Sequence, residues 1–217
     1  KSFMNPNIKK NKKVICNKSM YELAEMLFPI NRSLTGEGIE KSFDVFREIH
    51  KEFQTLIFQT GDKVGDWEIP NEWNISDAYI ELKNGKRICD FSKCNLSVVG
   101  YSIPIHKTMS YDELVNHLHY REDLPDAIPY VTSYYKKYWG FCLEYNLFKT
   151  LKKDEEYRCV INSKLKPGKL TLIEALIPST KKSNKDIFFS SYLCHPSMAN
   201  NELSGPVVLN EIIKYVK

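Results

Sequence analysis

The stretch DIFFSSYLCHPSMANNELSG, residues 186–205, decides how the chain is read. Its first half, DIFFSSYLCHP (186–196), is largely apolar, as expected of a strand covered on both faces. Its second half is a loop rich in Asn, Glu, Ser and Gly. Beyond it a helix is expected, with Val208, Ile212, Ile213 and Val216 on one stripe and Ser204 as N-cap. His195 therefore falls at the carboxyl end of an expected strand. Ligands bind at that edge of open α/β sheets, because loops converge there and helix N-termini present positive dipole ends. The alternative is a structural histidine in a turn.

Outward from this stretch, KLTLIEALIP (169–178) reads as a neighbouring strand. Towards the N-terminus, Ser19 to Glu22 is a capping-box signature opening a helix through Leu23, Met26 and Leu27, which Pro29 stops. A second helix is expected from near Thr35, with Ile39, Phe43, Phe46 and Ile49 at helical spacing, followed by a strand at FQTLIFQT (53–60). The connection PINRSLTGEG carries two glycines that suit a tight turn.

From about Gly61 the texture changes to short alternating runs. DAYIELKNGKRICDF predicts a hairpin, with Asn84-Gly85 as a type I′ turn. LSVVGYSIPI (96–105) is a strand candidate, and a short helix is expected from Ser110. YRCVINS (157–163) alternates as a strand. The expected organisation is a basic arm over 1–18, an α/β domain over 19–60 and 167–217, and a β-rich insertion over 61–166.

Composition excludes several classes. The chain has 217 residues, 42% of them hydrophobic, enough for one large domain or two small ones. Apolar runs such as Ile187-Phe188-Phe189 fall far short of the roughly 20 residues of a membrane span, and no apolar segment of a secretion signal follows the basic N-terminus. The net charge is +4, of which residues 1–18 contribute +6, leaving −2 on the rest. A basic arm without a second basic stripe reads as a solvated tail rather than a nucleic-acid interface. Six cysteines without a secretion signal read as reduced thiols of a cytoplasmic protein.

HPSMANNELSG followed by a helix resembles the first metal-ligand segment of zinc-dependent aminopeptidases. Together with PINRSLTGEG, GDWEIPNEWNISDAYI and PDAIPYVTSYYKKYWGFC, it is similar to the aminopeptidase-like proteins encoded in bacterial polysaccharide-biosynthesis clusters. These carry a β-rich inserted domain of unknown role. The resemblance covers about residues 19–217. It implies the N-terminal part of a three-layer α/β peptidase domain and a metal-assisted hydrolysis of peptide or amide bonds, with zinc as cofactor. It also implies a peptide or amino-acid-modified small substrate.

Carried over position by position, the resemblance makes His195 a zinc ligand and places Asn201 where the peptidases have a metal-bridging aspartate. A neutral amide offers one oxygen donor and no charge, so a dinuclear centre is not expected there. Glu202, next in sequence, is a lesser candidate ligand. Ser197 stands where the peptidases often have an orienting aspartate. The remaining ligands and the general base belong to later strands of such folds, so no catalytic residue is expected within this chain. The missing part of the domain, or a second copy at an exposed sheet edge, is the expected partner. A non-catalytic scaffold in surface-glycan biosynthesis is the alternative function.

Three further groups have plainer explanations. His117 and His119 lie two apart on an expected helix and face different ways, as surface residues do. Tyr130, Tyr134, Tyr135, Tyr138, Trp139 and Phe141 form either a stacking surface or a core, and the core is preferred. Arg32, Ser33 and Thr35 with Gly36 and Gly38 suit helix capping or, alternatively, an anion site.

Overall fold

The computed structural model describes residues 18–217, so the basic arm lies outside the described residues except for Lys18. In chain order the elements are α1 (Met20–Leu27), α2 (Glu37–Ile49), β1 (Gln54–Gln59), β2 (Lys63–Val64), β3 (Trp67–Glu68), β4 (Glu72–Glu81) and β5 (Arg87–Ile88). They continue with β6 (Ile105–Ser110), α3 (Tyr111–Leu114), β7 (Leu118–His119), β8 (Phe141–Cys142), α4 (Tyr145–Phe148), β9 (Glu156–Lys166), β10 (Lys169–Glu174) and α5 (Ser204–Val216). The chain is thus a mixture of helices and strands, in two compact units. One is Phe58–Leu170, and the other comprises the residues up to Ile57 together with Thr171–Lys217. β1 and β10 pair with each other.

In the first of these units the sheet runs β5-β4-β9-β6, each neighbour antiparallel. Register places Ala78 opposite Ile161, Ile80 opposite Cys159 and Met109 opposite Tyr157. Because successive side chains of a strand alternate between faces, these residues line one face. There they pack with Val98, Leu114, Leu118, Trp139, Phe141 and Leu143 into a core. Each large apolar side chain so buried contributes on the order of 1.5–3 kcal/mol.

The hairpin differs in its turn. Leu82 N–H donates to Lys86 O and Gly85 N–H to Leu82 O, so three residues, not two, form the loop. Only Gly85 takes a positive φ, 79°, which is the three-residue loop with glycine in the left-handed position rather than a type I′ turn.

LSVVGYSIPI is not a strand. Asn95–Ser97 forms a 3₁₀ turn, single bridges join Val98 to Phe141 and Gly100 to Thr132, and Tyr101 turns left-handed at φ 64°. That turn breaks the extended run that the apolar pattern suggests.

In the other unit, α1 opens with the expected capping box: Glu22 N–H donates to Ser19 Oγ, and Ser19 N–H to the Glu22 carboxylate. α2 starts at Glu37 after Gly36, whose φ is 95°. Leu23, Leu27, Ile39, Phe43, Phe46, Leu193, Leu203 and Val207 make the core.

The expected strand DIFFSSYLCHP has no strand pairing and no assigned secondary structure over 186–194, and Ile187 and Phe188 are 84% and 88% exposed. A strand exists only through hydrogen bonds to a neighbour, and no described strand pairs with this segment. Its apolar pattern is therefore unsatisfied. Ser204 is the first residue of α5 and not its cap. The chain enters that helix through a kinked turn, Ala199–Leu203, whose Asn201 and Glu202 are non-helical, and Ser204 Oγ donates to Asn200 O instead.

Candidate metal centre

The kink at Asn201 and Glu202 bends the chain so that residues seven apart meet. Glu202 adopts φ 124° and ψ −72°, a backbone region that side-chain-bearing residues rarely enter. Such a conformation costs about 1–3 kcal/mol and persists only where surrounding contacts enforce it. The contacts here are to His195. The His195 backbone N–H donates to Glu202 Oε1 at 2.8 Å, and His195 Nδ1 lies 2.5 Å from Glu202 Oε2. The Glu202 side chain has no exposure, while that of His195 keeps 20%.

Cys194 joins them, with Sγ 3.5 Å from His195 Nδ1. One thiol, one imidazole and one carboxylate thus place donor atoms within 4.8 Å of one another, the group of described residues able to hold a metal ion. All three are zinc-ligand types, so the donor chemistry suits that ion. Burial pushes the Cys194 thiol up to about 12, with Glu202 adding to the effect, so it is neutral at pH 7 without a metal.

Behind this cluster sits Arg32, only 1% exposed. Its Nη1 donates to Leu27 O at 2.6 Å, whereas Nε and Nη2 have no hydrogen-bond partner. Burial lowers its guanidinium to about 10, and the charge of Glu202 pulls it back up, so it stays cationic at neutral pH.

The other sequence candidates are placed as follows. Asn201 is exposed, and its Oδ1 accepts a hydrogen bond from the Tyr192 hydroxyl. Ser197, at φ 39°, donates from Oγ to Phe28 O at 3.2 Å. Ser33 Oγ donates to Thr35 O inside the turn before α2, in keeping with a local turn role.

His117 and His119 are partly buried, not surface residues, and no helix carries both. A 3₁₀ turn over Val115–His117 leads into β7. The His117 ring stacks on Trp139 at 3.7 Å with Nδ1 2.9 Å from Trp139 O, and His119 Nε2 lies 2.9 Å from the Tyr138 hydroxyl. Trp139 and Phe141 belong to the core, Tyr130 and Tyr134 share a hydroxyl hydrogen bond, and Tyr135 is exposed.

The sequence reading takes Cys194 only as one of six reduced thiols, although it adjoins His195. Arg32 was read only as a capping or anion-binding residue. Its place behind Glu202 carries no sequence signal, since 170 positions separate the two.

A Clostridium acetobutylicum protein, provisionally named as a polysaccharide biosynthesis protein with aminopeptidase-like domain, is 45% identical over 195 residues, 90% of this chain and 44% of the relative. A crystal structure from the same organism, provisionally named a peptidase, matches with a TM-score of 0.86 at 44% identity, covering 91% of this chain and 46% of that one. The chain therefore spans less than half the length of the relatives it matches. A family described as a domain of unknown function (DUF2172) matches residues 72–164.

Proposed function

Because the chain is related to the aminopeptidase-like proteins named for polysaccharide biosynthesis, we propose that it is the N-terminal portion of a zinc-dependent hydrolase acting on peptide or amide bonds. In this reading, residues up to Ile57 and from Thr171 belong to the three-layer hydrolase domain and Phe58–Leu170 is an insertion into it. The observation that supports it is His195 beside Cys194 at the entrance to α5, held by the buried side chain of Glu202, whose backbone is strained there.

His195 holds the metal. When bound, zinc would polarise the scissile carbonyl and lower the pKa of a bound water. The residues of this chain contribute the binding end of that chemistry: His195 supplies a neutral ring nitrogen, and Arg32 and Glu202 set the charge behind it. Asn201, turned to Tyr192, does not bridge two metal ions in this proposal. The substrate class is a peptide or an amino-acid-modified small molecule of the glycan pathway, and a cytoplasmic location goes with free thiols at all five described cysteines.

Metal analysis of the 217-residue chain after equilibration with stoichiometric zinc and gel filtration tests the reading. One zinc per chain, absent from His195→Ala, is the expected result. A wild-type chain that retains no zinc overturns it.

A further inference from the structure

We propose that Glu202 is the positioning carboxylate of His195, supported from behind by Arg32, so that the metal is bound through Nε2 of the ring and not by Glu202. The inference rests on the zinc reading above and deepens it. The distance between Nδ1 and Oε2 carries the first part. Two ligand atoms on a tetrahedral zinc lie roughly 3.4 Å apart, given metal–ligand distances near 2.1 Å. The observed 2.5 Å is a hydrogen-bond distance and leaves no room for an ion between the two atoms.

Both oxygens of Glu202 are already committed to His195, one to the backbone N–H and one to the ring. This two-point grip fixes both the place and the rotation of the imidazole. With Nδ1 donating its proton to the carboxylate, Nε2 carries the lone pair that a metal needs, as in carboxylate–histidine–metal arrangements generally. Ser197 does not take that role, because its hydroxyl is turned to Phe28 O.

Arg32 explains how a carboxylate with no exposure is tolerated. An isolated buried charge costs several kcal/mol, and an opposite charge nearby offsets it. Arg32 is itself buried, the charge of Glu202 favours its cationic form, and two of its nitrogens have no hydrogen-bond partner. The cation and the carboxylate compensate one another through space. Neither Arg32 nor Glu202 touches a substrate in this arrangement; both act through His195.

The test is the protonation pattern of the His195 ring, read by long-range ¹H–¹⁵N NMR on the metal-free 217-residue chain at about pH 8, above the ordinary imidazole range. The wild-type ring is expected to carry its proton on Nδ1. In Glu202→Gln the amide can donate to Nδ1, and the proton is expected to move to Nε2. Zinc affinity by calorimetry then falls about 10- to 100-fold.

Arg32→Lys, which keeps the charge, should hold the Nδ1 proton, and Arg32→Met should lower zinc affinity in the same direction as Glu202→Gln. A wild-type ring protonated on Nε2 overturns the proposal and needs no variant to observe. An unchanged zinc affinity in a folded Glu202→Gln also overturns it, while leaving His195 as a ligand. A wild-type chain that binds no zinc defeats the metal reading instead, and the ring proton still reports on Glu202.

Discussion

The carbonyl oxygen of Asn31 occupies the space that a side chain on Gly38 would need: a Cβ built there lies 1.7 Å from Asn31 O and 3.3 Å from Arg32 Cα. The first turn of α2 is thus laid directly on the backbone that carries Arg32. The glycine is required by this close approach and not by an unusual φ. The same short connection sets where the buried guanidinium emerges behind Glu202.

Gly38→Ala should therefore be severely destabilising, by about 3 kcal/mol or more, because the obstacle is backbone and cannot rotate away. Urea denaturation checks this. A loss below about 1 kcal/mol would mean that the loop yields. A folded remnant of Gly38→Ala should also bind zinc more weakly, through displacement of Arg32.

His50 makes the unit up to Ile57 and from Thr171 sensitive to acid. It is buried, with Nε2 3.0 Å from Asn210 Oδ1. Asn210 Nδ2 donates to Glu211, so its oxygen faces the ring as acceptor. Burial first, and then the Lys217 ammonium, lower the His50 value below the ordinary 6.5.

The fold thus favours the neutral ring. Its contribution is fully present above about pH 6.5 and is lost as pH falls from there through the lowered folded value, because the unfolded chain takes up a proton first. Thermal midpoints measured downwards from pH 7.5 should fall more steeply for the wild type than for His50→Gln. Parallel curves would exclude the effect.

Phe141 has no exposure and packs edge-on to Trp139 within the sheet core. Phe141→Ala removes a whole ring from a packed site and should cost about 3–5 kcal/mol. Chemical denaturation followed by the signal of the buried Trp139 measures it. A cost under about 1.5 kcal/mol would show that the neighbours collapse into the space.

Leu176, Ile187 and Phe188 are each more than four-fifths exposed, an apolar surface of the kind that associates. We propose that the segment pairs with a strand outside the described chain or with a second copy. Sedimentation velocity of the 217-residue chain should show self-association that the double variant Ile187→Lys, Phe188→Lys reduces. A wild type that stays monomeric at 100 micromolar-scale loading, about that order, would sink the second-copy arm.

Local chemistry was legible in the residues wherever the cause was local. The capping box at Ser19 and Glu22, the apolar stripes of α1 and α2, and the alternation of Tyr157, Cys159 and Ile161 each rest on contacts within a few positions of the chain, and each is present. The segment HPSMANNELSG likewise pointed to relatives that the comparisons bear out. The type I′ turn failed because Asn84-Gly85 is compatible with more than one loop length, and pairing of Leu82 with Lys86 chose the longer.

What only the tertiary structure decided depends on groups that meet across long stretches of chain. DIFFSSYLCHP has the composition of a buried strand, yet composition cannot supply the neighbouring strand whose hydrogen bonds would make it one. His195 was identifiable as a candidate ligand from its own surroundings. That Glu202 turns back on it at positive φ, and that Arg32 lies buried behind both, follows from packing of α1, the turn before α2 and the entrance to α5. Charge compensation acts through space, so its partners need share no pattern along the sequence.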